Sequence, residues 1–104
     1  MADINKSIAI AVKTGKILFG AESSLKSAMT GKARLIIVAS NCPEDIRGKL
    51  EYYCKLSGIP LIVYKGTSLE LGSVCGKPFT VSAMVIREPG DSDILEIAKG
   101  GGDG

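Results

Sequence analysis

Apolar residues along this chain switch repeatedly between a spacing of three to four and short unbroken runs. Ile4, Ile8 and Val12 recur every four residues with Ala9 and Ala11 alongside, which predicts a first helix capped by Asp3 and closed at Gly15. Ile17-Leu18-Phe19 reads as a short strand stopped by Gly20. A second helix is expected from Ala21 to Thr30, burying Leu25, Ala28 and Met29 and ending at Gly31. Arg34 to Ala39 follows as the central strand. Its unbroken run Leu35-Ile36-Ile37-Val38-Ala39, rich in β-branched residues, predicts cover on both faces.

Pro43 then opens a third helix that runs to Ser57, with Ile46, Leu50, Tyr53 and Cys54 on one face and Glu44 and Asp45 complementing the helix dipole. Gly58 and Pro60 break it, and Leu61 to Tyr64 forms a third strand. Thr67-Ser68-Leu69-Glu70 is a capping box, so a fourth helix starts there and ends at Gly76. Val81 to Ile86 is the fourth strand, Glu88-Pro89-Gly90-Asp91 a turn, and Ile94, Leu95 and Ile97 dock a short last helix. Five helices thus alternate with four strands, which predicts an α/β protein, a three-layer α/β/α sandwich. The expected sheet is four-stranded and mixed. One domain is expected over 1–98, followed by a flexible glycine-rich tail over 99–104.

Composition narrows the function. The 104 residues, 45% of them apolar, suit one folded domain with a modest core. No run reaches the roughly 20 apolar residues of a membrane span. Met1-Ala2-Asp3-Ile4-Asn5-Lys6 lacks a basic segment followed by an apolar one, so no signal peptide and a cytosolic location are expected. The chain has no histidine, and its three cysteines (Cys42, Cys54 and Cys75) are far apart. Zinc sites want close Cys pairs or Cys with His, and a cysteine nucleophile usually needs a histidine base. Buried, reduced thiols are the expectation, with no metal and no cofactor.

The net charge of +2 is unevenly spread. Residues 1–34 hold six basic and two acidic residues, 35–77 hold five and four, and 78–104 hold two and five. Positive charge gathered at one end suits an anionic partner.

Three loops carry candidate chemistry. In Phe19-Gly20-Ala21-Glu22-Ser23, Gly20 either permits a tight turn or lets a backbone approach the free N–H groups of the next helix. In Ser40-Asn41-Cys42-Pro43, Asn41 either caps the third helix or offers a donor and an acceptor to a base edge. Gly72-Ser73-Val74-Cys75-Gly76-Lys77-Pro78-Phe79 imitates a phosphate-binding loop but fails: the glycine spacing is wrong, Pro78 stands where a hydroxyl is needed, and the loop follows a helix. Phe79 beside Lys77 is either the first core residue of a strand or a stacking platform for an unpaired base. Glu44-Asp45, the one adjacent carboxylate pair, is explained by the helix dipole, so no active site is expected.

Several blocks now resemble a known family. Thr14-Gly15-Lys16-Ile17-Leu18-Phe19-Gly20, Ala33 to Asn41, Leu50-Glu51-Tyr52-Tyr53, Leu56-Ser57-Gly58-Ile59-Pro60, Gly66 to Gly72, Gly76-Lys77-Pro78-Phe79 and Pro89 to Leu95 are similar, in this order, to the thirty-e family of archaeal and eukaryotic large-subunit ribosomal proteins. The likeness covers about residues 3–98, and Ser57-Gly58-Ile59-Pro60 looks archaeal. The resemblance implies a structural constituent of the large ribosomal subunit that binds a kink-turn or asymmetric internal-loop rRNA through three loops at one end of the sheet. Gly20 would then allow close approach to the kinked strand, Asn41 would hydrogen-bond a base, and Phe79 with Val81 would contact an unpaired base. Lys16, Ser23, Lys26, Arg47 and Lys77 would serve phosphates. Two positions after Gly20, where the family often carries a basic residue, this chain has Glu22; Lys26 is placed to compensate one turn later.

The same resemblance implies large-subunit rRNA and neighbouring ribosomal proteins as partners, other kink-turn RNAs as further candidates, a monomer outside the ribosome, and no membrane, cofactor or catalysis. The alternatives are a kink-turn protein of a small guide ribonucleoprotein and, from another class, a small α/β nucleotide-binding or protein-interaction module. The runs around Leu50 and Pro89 favour the ribosomal member.

Overall fold

A computed structural model describes the backbone of residues 4–101 and side chains as far as Ile97. Among the described residues, helices and strands alternate as α1 (Ile4–Thr14), β1 (Lys16–Phe19), α2 (Ala21–Thr30), β2 (Leu35–Val38), α3 (Glu44–Ser57), β3 (Leu61–Val63), α4 (Ser68–Val74), β4 (Ala83–Glu88) and α5 (Ile94–Gly101). Asp3, expected to cap α1, lies outside the described residues. Of the expected tail, 99–101 continue α5 and 102–104 lie outside them.

The sheet is mixed, in the order β1-β4-β2-β3: β4 runs antiparallel to both neighbours, while β2 and β3 are parallel. β2 lies inside the sheet, and every residue from Leu35 to Ala39 is fully buried. Alternation along the strand divides that run between two cores. Leu35, Ile37 and Ala39 face Ile8 of α1, Leu71 of α4 and Ile94 of α5. Ile36 and Val38 face Ala28 of α2 together with Leu50 and Cys54 of α3. The arrangement is the expected three-layer sandwich, and the unbroken apolar run is explained because water reaches neither face.

Helix ends follow their local signals. Thr67 and Glu70 form the reciprocal capping box, each accepting the other's backbone N–H at 3.3 Å. Gly31 and Gly58 close α2 and α3 in the left-handed conformation. The third layer is tied at its end by Ser7 and Asp93, whose side chains hydrogen-bond, and by Ser92 Oγ donating to the Ser7 carbonyl at 2.6 Å.

Three expectations need correction. Met29 is 59% exposed. The buried stripe of α2 is Ser24, Ser27 and Ala28, small residues that let the helix pack close to its neighbours. β4 starts at Ala83 rather than Val81, because the Val81 N–H turns away to the carbonyl of Ser68 in α4 at 2.9 Å. α4 stops at Val74, two residues before Gly76.

Candidate nucleic-acid interface

The strand order brings three distant loops to one end of the sheet. β1 and β2 both finish there and β4 begins there, since Phe19 faces Met84 and Val38 faces Ala83. Backbone bonds stitch the loops together. Gly20 N–H donates to the Ala83 carbonyl at 2.9 Å, and Ala39 N–H donates to the Ser82 carbonyl at 2.8 Å. Ser40 donates to the Gly66 carbonyl through its N–H at 3.0 Å and its hydroxyl at 2.9 Å.

Gly20 sits at φ 107°, ψ 156°, immediately before α2. A residue with a Cβ is strained there, and a Cβ would point into open space, so the requirement is conformational within the free chain. Its carbonyl accepts from both the N–H and the hydroxyl of Ser24, which fixes the turn.

Asn41 is exposed and does not cap α3: Pro43 is the N-cap, without a side-chain bond. Its Oδ1 instead accepts the N–H of Ser68, the first residue of α4, at 2.8 Å. A backbone N–H only donates, so the atom facing it must be the amide oxygen, and the NH₂ group is left toward solvent. The expected cap of α3 is thus corrected: the Asn41 oxygen serves α4 instead. The side chain satisfies a helix N-terminus on another element and presents two donors outward. Ser68, whose carbonyl also holds Val81, is the node that joins the loops; nothing in its local sequence beyond the capping box marks it.

Phe79 is 51% exposed and stands beside this cluster. Its ring meets Phe19 edge-on, with centroids 6.3 Å apart, and Lys77 Nζ lies 5.2 Å from the centre of the Phe19 ring. Phe19 therefore braces both the aromatic and the cation. Its sequence context marked it only as a strand residue. Gly72 explains how the loop fits: a Cβ there would come within 2.2 Å of the Phe79 carbonyl, so the loop lies directly against the helix backbone. Gly72→Ala should therefore displace Phe79. Overpacking of about 2 kcal/mol, offset by about 1 kcal/mol of improved helix propensity, leaves a net loss of roughly 1 kcal/mol by chemical denaturation. A stability gain would show that the loop yields freely.

The remaining candidates divide. Ser23 and Lys26 share a groove along α2 with Leu18 and Arg87. Arg47 lies one turn into α3, within 3.9 Å of Glu51, a half-exposed pair of small energetic weight. Glu22 is exposed in the first turn of α2, where its charge complements the helix dipole. Val81 is 1% exposed; it is a core residue that anchors the loop and offers no surface to a base. The Lys16 backbone is separated from the group, although the residue shares a groove with Phe19, Lys77 and Arg87. It opens β1 opposite Glu88, at the far end of the sheet, roughly 13 Å from Gly20 at about 3.3 Å per strand residue.

The thiols take no part. Burial pushes Cys54 and Cys75 up to about 11 and raises Cys42 despite the nearby Arg47, so all three are protonated near neutrality. Among the described residues, no three His, Cys, Asp or Glu side chains gather as metal ligands.

Comparison with known proteins shows the family of the chain. The model of the ribosomal protein L7Ae/L30e/S12e/Gadd45 family matches residues 2–96. The large ribosomal subunit protein eL30 of Methanothermobacter thermautotrophicus is 53% identical over 95 residues, covering 91% of this chain and 97% of that protein. Its counterpart in Methanobrevibacter smithii is 52% identical over 96 residues, covering 92% and 97%. A solved structure of a Bacillus halodurans protein of unknown function superposes with a TM-score of 0.79 at 23% identity, covering 94% of this chain and 97% of that one, a likeness of fold alone.

Proposed function

The chain belongs to the ribosomal protein L7Ae/L30e/S12e/Gadd45 family, and from that membership we propose that it is a structural constituent of the large ribosomal subunit. It binds a kink-turn or asymmetric internal-loop rRNA at the end of the sheet where Gly20, Asn41 and Phe79 meet. The observation that carries this reading is the paired state of Asn41. With Oδ1 held by the Ser68 N–H, the NH₂ group is turned outward, and its donors suit an acceptor edge such as guanine O6 and N7. Phe79 supplies a face for an unstacked base, and Gly20 leaves room for a bent backbone. Lys77, Lys26 and Arg47 neutralise phosphates around them, with Ser23 as a neutral donor.

The relatives named as large-subunit proteins support a ribosomal, cytoplasmic setting with rRNA and neighbouring ribosomal proteins as partners. In this reading the protein is a monomer outside the ribosome and not a catalyst; its buried, protonated thiols support the absence of cysteine chemistry.

Calorimetric titration with an asymmetric internal-loop RNA, against a fully paired duplex of equal length, tests the proposal. Preference for the internal loop by at least tenfold is expected; equal affinity for both would sink it. Lys77→Ala should weaken binding similarly for all loop sequences and reduce the slope of log K against log salt by about 1. An unchanged slope would remove Lys77 from the phosphate contacts.

A further inference from the structure

At the end of the sheet opposite the three loops lies a cleft of about 430 Å³ lined by Lys16, Lys32, Arg34, Arg87 and Glu88. Four cations thus face one carboxylate. All four are exposed, and among the described residues none forms an ion pair within 4 Å; Arg47 with Glu51 is the pair seen. Three elements supply them independently: the start of β1, the connection from α2 to β2, and the end of β4. The register also slips here. Lys16 faces Glu88 while Ile17 faces Ile86, which leaves Arg87 without a partner in β1. Such a bulge re-aims side chains at a strand end. Arg34 is held by its N–H bond to the Ile86 carbonyl at 2.9 Å, on the strand carrying Arg87. A neighbouring cleft of about 360 Å³ shares Lys32 and Arg87 and adds Lys26. The basic surface therefore continues along the α2 flank to Lys26. A groove shared by Lys16, Arg87, Phe19 and Lys77 carries it to the edge of the three-loop site, so an RNA held there can extend a second segment onto this face.

Packing this many unpaired like charges together is unfavourable in the free protein and becomes favourable when an anion spans them. We propose that Lys16, Lys32, Arg34 and Arg87 form a second RNA-contact face, which takes the phosphodiester backbone of a segment other than the one held by the three loops. Two guanidinium groups suit phosphate oxygens through bidentate bonds, and the lysines act as point charges beside them. Aromatic rings are absent from the cleft lining, so the contact follows the backbone and reads no sequence. The protein then joins two RNA segments, one recognised by shape and base edge, the other by charge. This inference rests on the RNA-binding reading for the identity of the anion.

The test starts from the full chain saturated with a short-stemmed internal-loop RNA. A labelled, fully paired 20-base-pair RNA duplex is then titrated in, followed by fluorescence anisotropy at several salt concentrations. A ternary complex is expected. Replacing all four cations by glutamine should weaken duplex binding at least tenfold and reduce its salt slope by about 3 to 4. Affinity for the internal-loop RNA should change less than twofold. The pairs Lys16→Gln with Arg87→Gln, and Lys32→Gln with Arg34→Gln, each retain half the charge and should show intermediate losses if the fourfold variant folds poorly.

Failure of the complex to take up the duplex overturns the inference, as does equal uptake by wild type and variants. Stronger binding of a polyglutamate peptide than of the duplex also overturns it, in favour of an acidic protein partner. If the internal-loop RNA itself does not bind, the reading of the three loops has failed instead, and that result is separately visible in the first titration.

Discussion

Asn41→Asp is expected to weaken binding of the internal-loop RNA by about 1–3 kcal/mol through loss of the base contact, with repulsion from nearby phosphates added to it. The substitution is nearly isosteric and keeps an oxygen for the Ser68 N–H, whose bond is 2.8 Å in the native chain. Only the outward donors are removed. Thermal unfolding of the free protein should therefore change little, while discrimination among loop sequences collapses. Asn41→Ala is the informative partner. It also deletes the acceptor at the start of α4, so it should lower stability by about 0.5–2 kcal/mol, the usual range for a lost helix N-terminal partner. Equal RNA affinity for wild type and Asn41→Asp would mean that the base contact lies elsewhere.

Phe79→Ala should weaken the same binding by about 1–3 kcal/mol, or roughly 5- to 150-fold, because a base stacked on an aromatic typically contributes that much. The ring is half exposed and its main neighbour is Phe19, so circular dichroism should report an intact fold. Phe79→Leu separates stacking from simple apolar contact: it keeps much of the bulk and loses the π face. An intermediate affinity supports stacking, and full affinity in Phe79→Leu would reduce the contact to hydrophobic cover. Native affinity in Phe79→Ala with the fold intact would take the ring out of the interface.

The two variants probe side chains that already have a partner within the free protein. Asn41 is held by Ser68, and Phe79 is braced by Phe19 beneath a loop pressed against Gly72. Ordering them on binding costs little, which is the benefit of building a contact surface from loops stitched to one sheet. The second cationic face differs in kind. Long lysine and arginine side chains in an open cleft adapt to a backbone, and their contribution falls as salt rises.

Much of this was legible in the order of residues. The run Leu35 to Ala39 declared a strand covered on both sides, because no exposed face tolerates five apolar residues in succession. The capping box at Thr67 and the glycines after α2 and α3 set helix ends through bonds that span four residues or fewer. The alternation of helix and strand was enough for the three-layer class. The resemblance in blocks from Thr14 to Leu95 pointed to the family that the comparisons assign.

Other facts waited for the tertiary structure, and each depends on which strands become neighbours. The order β1-β4-β2-β3 does not follow the chain, so the sequence could not say which loop ends share a side of the sheet. That order joins Gly20, Asn41 and Phe79, sends Lys16 to the opposite end beside Arg87, and buries Val81 behind Ser68. It also turns Asn41 from a candidate cap of its own helix into the cap of another. Local periods specify elements because their bonds are short in sequence. The chemistry of this protein lies in contacts between residues tens of positions apart, and only the paired sheet brings those residues together.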